Sequence, residues 1–154
     1  MSNPETHRTI AVSFEDASNE TAQTLLTEMC AELSLRYGIP PSPFSGSDAA
    51  AFVVARLAGE PVGCGALRPL DANTAEVKRM FVRPAGRRRG IARQILAKLE
   101  QRAAELGFTT VRLETGREQP EAIALYESSG YQRIPAFGGY VGNPNSVCFE
   151  KPLR

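Results

Sequence analysis

The order of apolar patterns along the chain predicts a mixed domain of the α/β or α+β class. Short segments rich in β-branched residues alternate with longer amphipathic stretches. In the centre of the chain, three strand patterns follow one another directly. The 154 residues, 42% of them hydrophobic, are enough for one domain with its own core. We therefore expect a single domain over 1–154, with a mobile tail at 1–8.

The chain is predicted to begin with a strand, a helix and a loop. TIAVSF at 9–14 alternates as a strand does, and 16–19 offers several residues that cap helix N-termini. The apolar residues that follow recur at helical spacing, and Tyr37 with Gly38 ends the helix. The proline-rich segment 39–48 predicts a loop that carries function.

The centre of the chain is predicted to be a meander of three strands. Residues 52–57 and 62–70 have strand patterns and are joined by the turn AGEP at 58–61. A further turn at 71–74 leads into EVKRMFV at 76–82. Because both connections are short, we expect the three strands to be antiparallel.

The C-terminal half is predicted to alternate helices with strands. The first helix of this half carries an apolar stripe that ends at Leu106, and Gly107 ends the helix. Pro120 suits the first position of the next helix, and Gly130 suits the position after its end. A helix between two strands of one sheet demands a parallel pair with a right-handed crossover. The predicted elements are a helix over 90–106, a strand over 109–113, a helix over 120–129 and a final strand over 146–151.

Composition excludes several classes of function. The 18 basic and 17 acidic residues give a formal charge of +1, which excludes binding to nucleic acid by overall charge alone. The longest apolar runs, such as 49–55, are far shorter than the roughly 20 residues needed to cross a bilayer. The N-terminus, MSNPETHR, has no apolar stretch typical of a signal peptide. We expect a soluble, cytoplasmic protein that does not associate with membranes.

The cysteine and histidine content argues against metal binding and disulfides. The three cysteines are scattered, and none forms a CxxC motif. The single histidine, His7, lies close to the N-terminus. These residues predict neither a metal site nor a nucleophilic triad that depends on histidine.

The stretch VRPAGRRRGIA at 82–92 predicts an anion-binding loop between a strand and a helix. Glycines let backbone amides approach a ligand closely, and the first amides of a helix lack partners within it. The helix dipole adds positive potential at the same place. The loop also carries guanidinium groups, which suit phosphate, at Arg83, Arg87, Arg88 and Arg89.

Two common phosphate loops do not fit this stretch. A Walker A loop needs a lysine after its second glycine, whereas Gly90 is followed by Ile91, and no GxGxxG motif follows a strand. The arginine run is also compatible with a surface that binds nucleic acid. Apart from Phe81, however, the stretch has no aromatic residues, which argues against stacking on single strands.

The remaining pattern, Arg87-x-x-Gly90-x-Ala92, resembles the pyrophosphate loop of the GNAT superfamily of acyl-CoA-dependent N-acetyltransferases. KRMFVRP at 78–84 resembles the fourth strand of that family, and AIALYESSGY at 122–131 resembles its next helix. The resemblance covers roughly residues 8–152. It implies a mixed central sheet, mostly antiparallel with one parallel pair and flanked by helices.

The resemblance also implies acetyl-CoA as the acyl donor, with no metal. Met80, Phe81 and Val82 fall on the strand that lines the pantetheine arm in the family. Gln119 stands where many members carry an asparagine, seven residues before the tyrosine of the helix. The loop residues implied at the phosphates are Arg87, Arg88, Arg89, Gly90, Ile91 and Ala92.

Acetyl transfer to an amine needs a proton acceptor and a proton donor. An alkylammonium has a pKa of about 10.4, and a carboxylate can take its proton directly or through water. Glu76 is the first candidate base and Glu114 the second; the alternative for each is an ion pair with lysine or arginine. Tyr126 is the candidate acid, since a phenol with a pKa of about 10 stays protonated at neutral pH. Its alternative is simple helix packing, while the resemblance implies a place near the thioester.

The sequence therefore predicts an N-acetyltransferase that acts on the primary amine of a small molecule or peptide. The alternatives are a non-catalytic acyl-CoA sensor and a nucleic-acid-binding protein. The segments 40–48, 71–74 and 135–145 are predicted to shape the acceptor pocket. The final strand, with Tyr140 and Phe149, is predicted to offer an edge for a homodimer.

Overall fold

A computed structural model of the chain describes residues 9–38 and 49–153. Within those residues, seven strands form one sheet, and three α-helices pack against it. Short 3-10 turns cover Pro84–Gly86 and Gly138–Tyr140. The elements in chain order are β1 (Ile10–Phe14), α1 (Glu20–Tyr37), β2 (Ala51–Leu57), β3 (Glu60–Pro69), β4 (Thr74–Val82), α2 (Ile91–Glu105), β5 (Thr110–Gly116), α3 (Pro120–Ser128), β6 (Gln132–Ile134) and β7 (Ser146–Pro152).

The strands lie in the order β1-β2-β3-β4-β5-β7-β6. Every neighbouring pair is antiparallel except β4 and β5, which are parallel and are connected through α2. The expected mixed sheet, mostly antiparallel with one parallel pair and flanked by helices, is thereby confirmed. Each predicted helix and strand is present, with ends that differ by a few residues from the sequence prediction.

The prediction of a free edge at the final strand is wrong. β7 pairs with β5 on one side and with β6 on the other, so it lies inside the sheet. Phe149 is 1% exposed and belongs to the core. The sequence pattern does not reveal β6, whose three residues, Gln132–Ile134, are too few to show alternation. The final strand therefore gives no support to the expected homodimer.

The helix ends follow local sequence signals. Asn19 caps α1, because its side-chain oxygen accepts from the backbone N–H of Ala22 at 2.8 Å. Gly38 ends α1 in the left-handed conformation, and its N–H donates to the carbonyl of Ser34 at 2.9 Å. Leu106, expected within the apolar stripe of α2, is 45% exposed because the helix ends one residue before it.

Different helices pack against the two faces of the sheet. One face packs against α2 and α3 in a large apolar cluster that contains Ile95, Leu99 and Phe149. The other face packs against α1 in a smaller cluster around Leu25 and Phe52. Residues alternate between the faces along each strand, so a strand that meets both clusters must be apolar on both sides.

Gly63 marks a position where β3, β4 and α2 approach one another closely. A Cβ atom there would lie 2.8 Å from the backbone oxygen of Phe81 and 3.2 Å from the Cδ1 atom of Ile95. We expect Gly63→Ala to lower the free energy of unfolding by about 1–3 kcal/mol, the usual cost of overpacking. Urea denaturation measures this change.

Gly139→Ala is the matched control for Gly63→Ala. A Cβ atom at Gly139 meets nothing within 4 Å, so this variant should stay within about 0.5 kcal/mol of the parent. Equal stability of the two variants would contradict the close packing described at Gly63.

Candidate active site

The phosphate-binding loop predicted at Arg87–Ala92 lies at the N-terminus of α2. Gly90 precedes the helix with a φ of 75°, which favours glycine, and Arg88 also has a positive φ, of 65°. The backbone amides of Ile91 and Ala92 fall in the first turn, where a helix has no internal acceptors for them. Arg88 and Arg89 are exposed, and their side chains form no hydrogen bond within the described residues. The loop thus presents amides and two guanidinium groups to solvent, an arrangement that fits a phosphate.

Two other arginines of the loop bind α1 instead. Arg83 forms a two-pronged ion pair with Glu28, at 2.8 and 2.6 Å, and donates to the backbone oxygen of Pro61 at 2.7 Å. Arg87 forms an ion pair with Glu32 and donates to the backbone oxygen of Val82 at 2.9 Å. Among the implied phosphate ligands, the Arg87 side chain is therefore already held by the protein.

β4 and β5 pair only along their first halves. Their parallel register runs from the Thr74–Thr110 pair to the Val77–Leu113 pair and then stops. Beyond it, β4 pairs with β3 alone and β5 with β7 alone. The strands therefore leave a gap, and the edge of β4 from residue 78 to 82 faces it without a partner strand among the described residues. Unpaired backbone groups at such an edge are free to bind an extended ligand.

A bulge in β4 lies beside this gap. Cys64 pairs with Phe81 and Ala66 with Lys78, so Arg79 and Met80 together oppose one residue of β3. Arg79 has a φ of 57°, and its carbonyl accepts from the thiol of Cys64 at 3.4 Å. The backbone amide of Met80 thus belongs to an irregular part of the strand, next to the gap.

The bulge decides which faces the expected pantetheine residues occupy. Phe81 is buried in the cluster under α1, while Met80 and Val82 pack against the cluster under α2. Each of these three side chains therefore packs mainly against an apolar cluster and not towards the gap. Contact with a ligand in the gap would come chiefly from the backbone edge of this segment.

Tyr126 lies on α3 and is 4% exposed. Its ring packs against Tyr131 and Phe149, with centroids 5.9 and 6.0 Å away. No described residue hydrogen-bonds to its hydroxyl. Burial, helped by the charge of Glu114, raises the pKa of Tyr126, so the phenol is protonated at neutral pH. The structure therefore shows the helix packing that the sequence left as an alternative for Tyr126, and it also shows a hydroxyl that can donate a proton.

Gln119 lies at the N-terminus of α3, in the short segment that connects the end of β5 to this helix. Its backbone carbonyl accepts from the N–H of Ile123 at 3.1 Å, but its side chain does not cap the helix. The following residue, Pro120, takes the first helical position, as the sequence predicted. The amide side chain of Gln119 is therefore not used by its own helix.

Glu76 is the third residue of β4 and is 0% exposed. Its Oε1 atom accepts from Nε of Arg68 at 2.8 Å, and its Oε2 atom accepts from the hydroxyl of Tyr140 at 2.7 Å. Arg68 lies directly opposite Glu76 on β3, and Arg112 lies beside it on β5. The ion pair that the sequence left as an alternative is present, and the role of Glu76 as base remains a prediction.

Glu114, the second candidate base, follows the last β4–β5 pair and lies at the gap. Ser146 donates to its Oε2 atom at 2.6 Å. Burial is the main cause that raises the pKa of Glu114, and the charge of Glu76 raises it further, while the hydrogen bond from Ser146 and the charge of Lys78 act in the opposite direction. The two candidate carboxylates are therefore close enough to influence each other.

Two aromatic residues of the segment 135–145 cover this polar part of the sheet. The rings of Phe137 and Tyr140 meet edge to face, with centroids 5.3 Å apart. The guanidinium of Arg112 lies 5.5 Å from the Phe137 ring and donates to Glu150 at 2.9 Å. The segment 135–145, predicted to shape the acceptor pocket, contains both aromatic residues, whereas no sequence signal pointed to Arg68, Arg112 or Ser146. The predicted acceptor segment 40–48 lies outside the described residues.

Comparison with known proteins agrees with this geometry. Residues 14–131 match the acetyltransferase (GNAT) family. An IAA acetyltransferase of Azospirillum brasilense is 43% identical over 103 residues, covering 66% of this chain and 67% of that protein. The uncharacterised N-acetyltransferase YsnE of Bacillus subtilis is 38% identical over 96 residues, covering 61% of this chain and 64% of that protein. The chain thus matches about two thirds of the length of these relatives.

Solved structures share the fold over nearly the whole chain. A Klebsiella pneumoniae protein classed as an acyl-CoA N-acyltransferase has a TM-score of 0.81 and 32% identity, covering 95% of this chain and 99% of that one. A GNAT acetyltransferase of Elizabethkingia anophelis, solved with acetyl-CoA bound, has a TM-score of 0.68 and 19% identity, covering 94% and 98%. The second likeness concerns the fold alone.

This chain belongs to the acetyltransferase (GNAT) family. The prediction of an acyltransferase of this family is confirmed. Among the helices of residues 9–38 and 49–153, none combines the length and the apolar character that crossing a membrane requires.

The raised pKa of Glu114 predicts a specific dependence of stability on pH. The folded state holds this proton more tightly than the unfolded state, so the free energy of unfolding falls as pH rises above about 4.5 towards the folded pKa. We expect Glu114→Gln to be more stable than the parent at pH 7, with a smaller gain at pH 4. Urea denaturation at both values measures it.

Glu28→Gln provides a control of opposite sign. The hydrogen bond and charge of Arg83 lower the pKa of Glu28, so its contribution is present above pH 4.5 and is lost on acidification. This variant should be less stable than the parent at pH 7, and the difference should shrink at low pH. A Glu114→Gln variant that loses stability at pH 7 would contradict the assignment.

Proposed function

We propose that this protein transfers an acetyl group from acetyl-CoA to the primary amine of a small molecule or a peptide. The observation that carries the proposal is the gap between β4 and β5, which opens beside the N-terminus of α2. The cradle at α2 has the charge and the amides for phosphate, and the gap has an unpaired strand edge for the arm. The buried Glu76 and the half-buried Glu114 lie near the end of the β4–β5 pairing, and Tyr126 is close enough for the charge of Glu114 to raise its pKa.

The roles follow from these positions. Arg88, Arg89 and the first amides of α2 bind the phosphates, while Arg87 fixes the loop to α1. The backbone edge of Met80–Val82 binds the pantetheine arm, and an amide near Met80 polarises the thioester carbonyl. Direct attack by the amine needs no covalent enzyme intermediate, so positioning supplies much of the rate.

Proton transfer completes the proposed reaction. Glu76 accepts the proton of the acceptor amine, and Tyr126 protonates the sulfur as coenzyme A leaves. Because its pKa is raised, the Tyr126 phenol is protonated at neutral pH and has a proton to donate. The proposal includes a cytoplasmic location, which the buried free thiols of Cys64 and Cys148 support.

An acceptor panel tests the proposed function. The panel contains small amines, amino acids, aminoglycosides, peptides and IAA, the compound in the name of one relative. Release of the coenzyme A thiol in the presence of one acceptor, with formation of its N-acetyl product, is the expected result. Tight binding of coenzyme A with no turnover on any acceptor would favour the acyl-CoA sensor instead.

The phosphate cradle predicts which arginines matter for binding. We expect Arg88→Ala and Arg89→Ala each to raise the Kd of coenzyme A by about 5- to 150-fold, as loss of a charge-assisted hydrogen bond does. Gly90→Val should weaken binding further, because a branched side chain at a φ of 75° distorts the loop. Isothermal titration calorimetry measures the affinities, and circular dichroism checks the fold.

Arg102→Ala is the matched control for these arginine variants. Arg102 lies in the last turn of the same helix, far from its N-terminus, and pairs with Glu105. This variant should bind coenzyme A as the parent does. Undiminished affinity in folded Arg88→Ala and Gly90→Val variants would remove the cradle from the proposal.

The catalytic roles predict a split between binding and turnover. Tyr126→Phe keeps the packing of α3 and should leave the KM for acetyl-CoA unchanged while kcat falls by about 10²–10⁴-fold. Glu76→Gln should lower kcat most at neutral pH, with a smaller loss as pH approaches the pKa of the acceptor. Steady-state rates from pH 6 to 10 measure both effects. If both variants have the rates of the parent, catalysis rests on positioning the amine against the thioester and not on these two side chains.

A further inference from the structure

The hydroxyl of Tyr140 donates a hydrogen bond to Glu76 from the segment that covers the polar part of the sheet. We propose that Tyr140 relays the proton of the acceptor amine to Glu76, so that the amine meets the phenol and not the carboxylate. This inference rests on the proposed function, because it assigns the proton path of that reaction.

The contacts of Glu76 explain why a relay is needed. The side chain is 0% exposed, and each carboxylate oxygen already has a hydrogen-bond donor. One donor is Arg68, whose charge-assisted bond at 2.8 Å makes that oxygen hard to free. The other donor is the Tyr140 hydroxyl at 2.7 Å. A proton can reach Oε2 through this hydroxyl without breaking the ion pair.

The position of Tyr140 suits a group that touches substrate. It lies in the 3-10 turn Gly138–Tyr140, in the segment that covers the polar part of the sheet, and it is only half-buried. Its backbone N–H donates to the carbonyl of Phe137 at 3.0 Å, and its ring meets the edge of the Phe137 ring. The ring is therefore fixed in place, while the hydroxyl oxygen still has lone pairs to accept a second hydrogen bond.

The charges around Tyr140 come from three strands. Arg68 on β3, Glu76 on β4 and Glu114 on β5 act on its hydroxyl, and Arg112 on β5 lies below the neighbouring Phe137 ring. Burial and the two carboxylates raise the pKa of Tyr140. The hydroxyl thus keeps a proton to give to Glu76 while it accepts another.

The protons balance over one turnover. The ammonium nitrogen gives a proton to Oη of Tyr140 as Tyr140 gives its own to Oε2 of Glu76, which later releases it to solvent. The neutral amine attacks the thioester, so the C–N bond forms and the C–S bond breaks. The sulfur takes a proton from Tyr126, and the nitrogen releases its surplus proton to water, from which Tyr126 is reprotonated.

The test compares Tyr140→Phe, Glu76→Gln and the double variant on an acceptor that the parent uses. We expect Tyr140→Phe to lower kcat at pH 7 by about 10²-fold or more, with the KM for acetyl-CoA unchanged. The loss should shrink as pH approaches the pKa of the acceptor. Because both residues serve one path, the double variant should be no slower than Glu76→Gln alone.

Tyr131→Phe is the matched control. The Tyr131 hydroxyl also donates to a glutamate, Glu100, at 2.7 Å, but it does so where α2 meets β7, beside Lys151. Its removal should leave the pH profile of kcat unchanged. A loss common to both tyrosine variants would indicate damage to the fold and would overturn the relay.

Three further outcomes overturn the relay. They are parent-like turnover in Tyr140→Phe, a loss that is the same at every pH, and losses in the two single variants that multiply in the double variant. A parent protein that acetylates no amine of the panel overturns the proposed function and the relay with it. An active parent with any of the three outcomes overturns the relay alone.

Discussion

The end of pairing between β4 and β5 is the constraint on which the site depends. A parallel pair normally continues until one strand stops, since each lost rung leaves backbone groups without partners. Here both strands continue past the last pair, Val77–Leu113, and each keeps only its outer neighbour. Pairing with β3 and β7 preserves half of the ladder for each strand. The other half is left unpaired at the gap, where a ligand with its own amides can replace the missing strand.

Charged residues lie on the sheet near the end of the β4–β5 pairing. Glu76 and Arg68 face each other across β4 and β3, and Ser146 of β7 donates a hydrogen bond to Glu114 of β5, which lies opposite Cys148. A buried carboxylate is costly unless it is paired and hydrogen-bonded. Glu76 meets both conditions within the protein, whereas Glu114 has one neutral donor and a raised pKa. The two carboxylates thus have different hydrogen-bond environments although they lie on adjacent strands.

Local sequence signals predicted the helices and strands. Contacts between residues that are far apart in the chain could not be predicted in this way. Asn19, Gly38 and Pro120 each mark a helix end through a hydrogen bond or a φ angle that the residue type favours. β6 has only three residues, so no period could reveal it, and its absence led to the wrong edge at β7. The site contacts have long separations. Tyr140 and Glu76 are 64 positions apart, and Arg87 and Glu32 are 55 apart. Neither spacing nor composition encodes such pairs.

The arginine run concentrates positive charge locally in a nearly neutral chain. The sequence carries a net charge of only +1, and Arg83 and Arg87 are neutralised by Glu28 and Glu32. These glutamates are four residues apart and so lie on one face of α1, towards the loop. They hold the loop against α1, and the segment that they fix includes the turn before Gly90. The charge that remains for a ligand is then set by Arg88 and Arg89, together with the amides of α2. In the proposed function, phosphate binding therefore depends on the two arginines that α1 does not bind, and not on the whole arginine run.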